Sequence, residues 1–172
     1  AFYDLPDFNY GGYSESKIID MQAAAEAALS VFQIGLAGSS LVHDVGYLEA
    51  GLTTSPEMIV FTAEMISMMR QFMAGMSLDA ESLALEVIHQ VGPGGDFLSQ
   101  EHTLDNWPEL WVPRLFNRQR LDAWEAGGAK DITARLREVT VSLMDRHQVE
   151  PRQPWRRRRQ HVALDALGPP DR

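Results

Sequence analysis

The sequence of 172 residues contains no cysteine. This absence excludes disulfides, thiolate nucleophiles and cysteine-bound zinc or iron–sulfur centres. No run approaches the roughly 18 uninterrupted apolar residues that a membrane-spanning helix needs. The first residues have neither the basic nor the apolar stretch of a signal peptide. We therefore expect a cytoplasmic protein that is entered midway along a longer chain.

Positive charge is scarce, and much of it is concentrated near the end of the chain. The net charge of −9 disfavours binding to nucleic acid or to an anionic membrane surface. From Pro151 onward six arginines face two aspartates, so this tail carries +4 and residues 1–150 carry −13. We expect an acidic body over 1–150 and a basic, proline-containing, disordered tail over 151–172.

Helical periodicity is the strongest structural signal. An alanine-rich pattern over 18–37 ends before Gly38. A second helix is predicted over 55–73, because Ser55 suits the N-cap and a proline follows in the first turn. Its apolar face, rich in methionine, is so broad that the helix must be covered on more than one side. Further helices are predicted from Asp79 to Ile88 and over 118–126 and 130–147.

Two short runs are candidates for strands. Residues 40–45 suit a buried parallel strand, and residues 97–99 could form another. Helices alternating with such strands indicate an α/β architecture with parallel strands. A complete (β/α)8 barrel usually needs about 250 residues, so this chain could supply only its last two or three units.

Four segments resemble characteristic stretches of the trimethylamine methyltransferase family, and they occur in the right order. They are residues 38–51 (GSSLVHDVGYLEAG), 91–103 (VGPGGDFLSQEHT), 113–118 (PRLFNR) and 124–131 (WEAGGAKD). The resemblance extends over about residues 11–148. It implies the C-terminal part of a (β/α)8 TIM barrel, mostly helical with a few short parallel strands.

The resemblance also implies a reaction. Members of the family transfer a methyl group from a methylated amine, such as trimethylamine or glycine betaine, to a corrinoid protein. The corrinoid would be carried by that partner and not bound directly by this chain. No pyrrolysine is present, so the chain resembles the family's non-pyrrolysine type. Assembly into a homo-oligomer stays open.

Polar side chains are expected where the strands end, because catalytic groups of a barrel cluster at the carboxyl ends of its strands. The candidate residues are Asp44, Tyr47 and Glu49 for substrate binding, and Glu101 and His102 for catalysis. The first three lie at or just beyond the end of the strand at 40–45, and the other two would follow a strand at 97–99. Carboxylates and aromatic faces suit a quaternary ammonium, which offers no proton to a hydrogen bond. We predict that all five face one pocket, with His102 as the acid if one is needed.

Other interpretations stay open at this point. The chain could be an inactive truncated fragment, or a stand-alone helical interaction module that uses its methionine-rich face and basic tail. A metal site is not expected, because the His43–Asp44 pair has no third ligand at a suitable spacing. The glycine-rich run at 92–95 lacks the lysine of a phosphate-binding loop and follows a helix.

The breadth of the apolar face over 55–76 leads to a first prediction. We expect the isolated chain to be prone to aggregation, because this face is too wide for a solvent-exposed helix. Size-exclusion chromatography and binding of a hydrophobic dye will measure this. A monodisperse monomer that unfolds cooperatively would contradict the prediction.

Overall fold

The structure, a computed structural model, describes residues 5–147. Most of these residues are helical, with a few short strands. The elements in chain order are β1 (Phe8–Tyr10), α1 (Met21–Ala37), β2 (Leu41–His43), β3 (Tyr47–Leu48), β4 (Thr53–Thr54), α2 (Pro56–Ala74), α3 (Ala80–Leu83), α4 (Leu85–Val91), α5 (Glu101–Asn106), α6 (Leu121–Ala126) and α7 (Ile132–Arg146). Short 3-10 turns cover Glu49–Gly51 and Trp107–Glu109. The predicted tail, 151–172, lies outside the described residues.

The helices begin at the capping residues that the sequence contains. Asp20 has an extended backbone, and its carboxylate accepts a hydrogen bond from the Ala23 amide at 2.9 Å. Helix α1 therefore starts at Met21, three residues later than predicted. Ser55 caps α2 in the same way, accepting from the Met58 amide at 3.3 Å. Both helices end at the glycines that follow them.

Helix α2 is covered on two sides, as its broad apolar face predicted. It packs against α1 and against α7. Its buried apolar residues, Met58, Phe61 and Met65, form the core together with residues of α1 and α7. Its C-terminal end is open, with Phe72 63% exposed. Among the described residues, no helix is both long and apolar enough to cross a membrane.

Strands β1 and β2 form a parallel pair in which Phe8 lies opposite Leu41 and Tyr10 opposite His43. The parallel strand predicted at 40–45 is confirmed, but its predicted burial is wrong. Leu41 is 59% exposed and Val42 40% exposed. The physical reason is that, within residues 5–147, each of these strands has one partner and helices cover only one face of the pair.

The second pair of strands corrects the expectation that the strands would all be parallel. Strands β3 and β4 are antiparallel, with Tyr47 opposite Thr54. The chain reverses between them through the 3-10 turn, where Ala50 has a φ of 51°. Because this connection is so short, it can join only antiparallel neighbours. No barrel closes within the described residues, as expected from their number.

The predicted strand at 97–99 is wrong. The Asp96 carboxylate accepts hydrogen bonds from the Leu98 and Ser99 amides at 3.1 and 3.3 Å, which bends the backbone into a turn. The hydrogen bond from Ser99, followed by that from the Leu98 amide, lowers the pKa of Asp96 below its ordinary value. The helix α5 follows directly. Glu101 and His102 therefore begin a helix and do not follow a strand.

The predicted helix from Asp79 to Ile88 is present as two pieces. Asp79 caps α3, as expected, and accepts a hydrogen bond from the Ser82 amide at 2.8 Å. Ala84 then takes a left-handed conformation with a φ of 48°, which separates α3 from α4. The bonds from Ser77 and Ser82 lower the pKa of Asp79 to about 2.

One buried carboxylate connects the two halves of the described chain. Glu64 of α2 is 8% exposed and accepts hydrogen bonds from the amides of Arg114 and Leu115, at 2.6 and 2.9 Å. The Leu115 side chain is then buried in the core, and its carbonyl accepts from Arg135 of α7 at 2.9 Å. In the sequence, Glu57, Glu64 and Gln71 recur every seven residues. This spacing by itself predicts a narrow polar stripe on α2 and gives no sign that Glu64 is buried.

We predict that Glu64→Ala lowers the free energy of unfolding by about 2–3 kcal/mol, because two amides lose a charged acceptor in a buried setting. Glu64→Gln should cost less, since its amide oxygen still accepts. Urea denaturation will measure both changes. The exposed Glu86 provides the control, and Glu86→Gln should change stability by less than about 0.5 kcal/mol. Equal stability of Glu64→Ala and the parent would contradict the role of this carboxylate.

Candidate functional site

The carboxyl ends of β1 and β2 lead into two loops that stay hydrogen-bonded to each other. The Gly11 amide donates to the His43 carbonyl at 3.0 Å, and the Gly46 amide donates to the Gly12 carbonyl at 2.9 Å. Further along, the Ser14 amide donates to the Tyr47 carbonyl at 2.9 Å. Residues 11–16 and 44–49 therefore form one connected unit beyond the strand ends.

Helices α1 and α2 hold this unit from one side. Ser14 is fully buried and donates its hydroxyl to the Glu26 carboxylate at 2.6 Å. The Gly12 amide donates to the Ser30 hydroxyl at 2.9 Å, and the buried Thr62 hydroxyl donates to the Gly12 carbonyl at 3.3 Å. The amide and the carbonyl of Gly12 are thus both hydrogen-bonded to side chains of the helices. The position of the first loop is set by side chains of α1 and α2.

Two glycines are required for this close approach. Gly12 and Gly46 have φ values of 76° and 85°, a region that disfavours side chains. A Cβ atom at Gly12 would collide with Thr62, and one at Gly46 would collide with Ile59. The space beside Gly46 is therefore filled by Ile59 of α2. Of the glycines in the 92–95 run, Gly92 and Gly94 have open space around them, whereas a Cβ atom at Gly95 would collide with Val91.

An aromatic cluster lies on the opposite face of the strand pair. The rings of Phe8 and His43 stack with centroids 4.1 Å apart. Tyr10 packs edge to face with Tyr13 at 5.1 Å and with His43 at 6.3 Å. The alternation of side chains along a strand explains why Phe8, Tyr10, Leu41 and His43 share this face. Asn9 and Val42 occupy the other face.

The substrate-binding candidates Asp44, Tyr47 and Glu49 lie together on the second loop. Asp44 has a φ of 68°, and its carboxylate contacts His43 Nδ1 at 2.7 Å. Tyr47 is half-buried in β3. Glu49 has a φ of 50° and accepts a hydrogen bond from the Thr53 hydroxyl at 3.3 Å. Non-glycine residues in this region are uncommon and are often found at functional sites.

The catalytic candidates Glu101 and His102 lie in the first turn of α5. Glu101 is exposed, and His102 Nε2 lies 2.8 Å from the Glu81 carbonyl oxygen of α3. Among residues 5–147, hydrogen bonds and ion pairs connect neither residue to Asp44, Tyr47 or Glu49. The pocket shared by the two groups stays a prediction.

Tyr10 and Tyr13 were missed as site residues. Burial raises the pKa of the Tyr13 hydroxyl, and the charges of Tyr10, Glu15 and Glu26 add to this effect. The signal in the sequence was the alternation of aromatic residues at positions 8 and 10 before a glycine pair. It was weak because strand β1 has only three residues.

A metal centre has no set of ligands in the described part of the chain. Residues 5–147 contain no group of three histidine or acidic side chains placed to hold a metal ion. The His43–Asp44 contact is therefore best explained by the ion pair or hydrogen bond between the two residues.

The described residues are mostly helical, and polar groups lie beyond the carboxyl ends of their parallel pair of strands. In proteins built on parallel strands, sites commonly form at such strand ends. Sequence comparison specifies the family. The profile of the trimethylamine methyltransferase family matches residues 1–159, and the chain belongs to this family. The resemblance found in the sequence is thus confirmed.

Three relatives illustrate the match. A trimethylamine methyltransferase from Desulfitobacterium hafniense is 36% identical over 150 residues, which are 87% of this chain and 30% of that protein. One from Methanosarcina thermophila is 37% identical over 152 residues, 87% of this chain and 31% of the relative. A glycine betaine methyltransferase from D. hafniense is 35% identical over 125 residues, 72% of this chain and 26% of the relative. The chain therefore spans about 30% of the length of such relatives.

The bonds that Glu26 accepts lead to a prediction about pH. The Ser14 hydroxyl, followed by the Glu15 amide and Gln22, lowers the pKa of Glu26 below its ordinary value of 4.5. The resulting stabilisation is present above pH 4.5 and is lost as the pH falls through the lowered pKa. We expect the urea midpoint of the parent to exceed that of Glu26→Gln at pH 7, and the difference to shrink on acidification.

The matched control is Glu125→Gln, which changes an exposed carboxylate of α6. Its difference from the parent should be small and should not follow the Glu26 profile. A difference between parent and Glu26→Gln that is constant from neutral to acidic pH would contradict the assignment.

Proposed function

We propose that this chain is the C-terminal portion of a (β/α)8-barrel enzyme that transfers a methyl group from a methylated amine to a corrinoid protein. Family membership and relatives named for trimethylamine and glycine betaine support the reaction and the substrate class. They do not favour a stand-alone helical interaction module. The structural observation that carries the proposal is the uneven covering of the β1–β2 pair.

One face of this pair is turned toward α1 and α2 across a cavity that Ile34, Val42 and Met69 help to line, whereas the other bears Phe8, Tyr10, Leu41 and His43. Phe8, Tyr10 and Leu41 are 62%, 55% and 59% exposed. In a (β/α)8 barrel, helices cover the outer face of each strand and side chains of the other strands fill the inner face. The exposed face matches an inner face whose other strands belong to a longer chain. The span of about 30% of the relatives' length agrees with this interpretation.

The barrel interpretation also orients the candidate residues. The loops at 11–16 and 44–49 leave the carboxyl ends of their strands, where active sites of barrels are built. Asp44, Tyr47 and Glu49 would then border the mouth of the barrel. Their carboxylates and aromatic ring suit the positive charge of a methylated amine.

The chemistry requires little of these residues beyond holding the amine. In the transfer from a quaternary ammonium, or from a tertiary amine that carries a proton on nitrogen, the bond from the methyl carbon to nitrogen breaks. Its electron pair stays on nitrogen as the neutral amine leaves. A corrinoid carried by a partner protein supplies a nucleophilic cobalt that accepts the methyl group. The protein must hold the nitrogen from behind and direct the methyl carbon outward, and precise orientation alone can contribute several kcal/mol. A tertiary amine product can take up a proton, and His102 is our candidate donor.

The catalytic assignment is tested in a chimera. This chain's matching segment replaces the corresponding 125 residues of the D. hafniense glycine betaine methyltransferase. We expect the chimera to methylate a reduced corrinoid protein, measured by absorbance. Glu101→Gln and His102→Ala should each lower kcat at least about tenfold, a low estimate for loss of an acid–base or charged group.

Asp105→Asn is the matched control, since Asp105 is exposed on the same helix α5, and it should retain parent activity. Circular dichroism will show whether His102→Ala has kept its fold, because His102 also contacts the Glu81 carbonyl. Parent-level transfer by both variants would remove these residues from the site. An inactive parent chimera that is folded and binds its corrinoid partner would count against the proposed function.

A further inference from the structure

We propose that Tyr10, Tyr13 and the His43–Asp44 pair form a binding site for the N-methyl groups of a quaternary or tertiary ammonium ligand. The inference rests on the proposed function, because it names the groups that would hold the positive charge of the substrate. It differs from the sequence prediction in placing Tyr10 of β1 and Tyr13 of the first loop, and not only residues of the second loop, in contact with the amine.

The geometry of the rings is the first argument. Tyr10 is at the centre of the cluster, with Tyr13 5.1 Å and His43 6.3 Å away between ring centroids, at interplanar angles of 68° and 67°. Because Tyr10 is 55% exposed, part of its ring is open to a ligand. Because Tyr13 and His43 are both turned away from parallel to Tyr10, the exposed part of the Tyr10 ring is bordered by two differently oriented rings. This arrangement suits a rounded group such as a cluster of N-methyls.

The local charge is the second argument. Besides His43, residues 5–69 contain eight carboxylates, one lysine (Lys17) and no arginine. The ammonium of Lys17 donates to the Glu15 carbonyl of its own loop at 2.9 Å. Asp44 lies directly behind His43, with its carboxylate 2.7 Å from Nδ1. In the neutral imidazole, donation from Nδ1 to Asp44 leaves Nε2 as an acceptor, so the ring presents no positive charge to a cation.

The rigidity of the support is the third argument. Tyr13 is adjacent to Gly12 and Ser14, and these two residues are bonded to Ser30, Thr62 and Glu26. The backbone of Asp44 is held by the bond from the Tyr47 amide to its carbonyl, at 3.3 Å. Groups fixed in this way lose little conformational freedom when a ligand binds. The backbone that carries Tyr13 and Asp44 is thus preorganised.

A methylated ammonium fits these groups better than a primary ammonium does. A primary ammonium needs several acceptors to replace the water it loses, whereas methylated nitrogen spreads its charge over carbon-bound hydrogens. We therefore expect the site to prefer choline over its neutral isostere, 3,3-dimethyl-1-butanol, and over ethanolamine.

The test titrates each probe into the full 172-residue chain and follows the N-methyl or tert-butyl proton resonance by NMR. Binding against ring faces should shift the choline N-methyl resonance upfield. Tyr10→Leu should weaken choline binding roughly three- to thirtyfold, the range for loss of one cation–π contact. Tyr10→Phe keeps the ring face and should stay close to the parent. Asp44→Asn should weaken binding of choline but not of the neutral isostere.

Leu41→Ala is the matched control, because Leu41 lies on the same face of the strand pair and is also exposed. Equal binding of choline and its isostere by the parent chain would overturn the inference, and this comparison needs no variant to fold. Equal affinity of parent and Tyr10→Leu for choline would overturn it as well.

The two proposals fail in different ways. Methyl transfer by the chimera, together with unchanged choline binding in Tyr10→Leu, would refute the tyrosine site and leave the proposed function standing. Selective choline binding by the parent chain, together with a folded but inactive chimera, would refute the proposed function and leave the tyrosine site standing.

Discussion

The close approach of α1 and α2 to the backbone of the first loop is the constraint on which the candidate site depends. Gly12 lies so near α2 that a methyl group in place of its hydrogen would strike Thr62. The two helices also meet closely at Gly35, where a Cβ would collide with Met69. Since protein interiors tolerate little change in volume, these contacts fix one face of the strand pair against the helices. The side chains on the opposite face of the strand pair must then point away from the helices.

This one-sided packing links the fold to the proposed chemistry. The side chains pointing away from the helices include the rings of Phe8 and Tyr10 and a histidine paired with a carboxylate. In an isolated domain such an exposed aromatic face would carry a cost in hydration. In a barrel the same face would line an interior from which water is largely excluded, where the attraction between a cation and a ring or carboxylate is stronger.

The strained backbone and the buried carboxylate of Glu64 lie in different parts of the molecule. The left-handed conformations of Asp44, Glu49 and Ala50 occur within one short stretch, beside the strand end. Each is unfavourable for a residue with a side chain, and hydrogen bonds to the neighbouring loop hold the stretch in place. Glu64, by contrast, lies far along α2 and organises the segment at 112–116 through backbone amides. The first arrangement directs side chains outward, and the second completes a core.

The sequence by itself determined the helices and the family, because caps, helical periodicity and motif segments are local patterns that need no distant partner. Asp20, Ser55, Asp79 and Asp131 all cap where a capping residue precedes an apolar period. Strands were harder to predict than helices, because a strand of three residues carries almost no periodicity. The run at 97–99 became a turn when Asp96 bonded to its amides. Only the tertiary structure decided that Tyr10 meets His43 and that Glu64 is buried against Leu115, because these contacts join residues 33 and 51 positions apart, which no local pattern encodes.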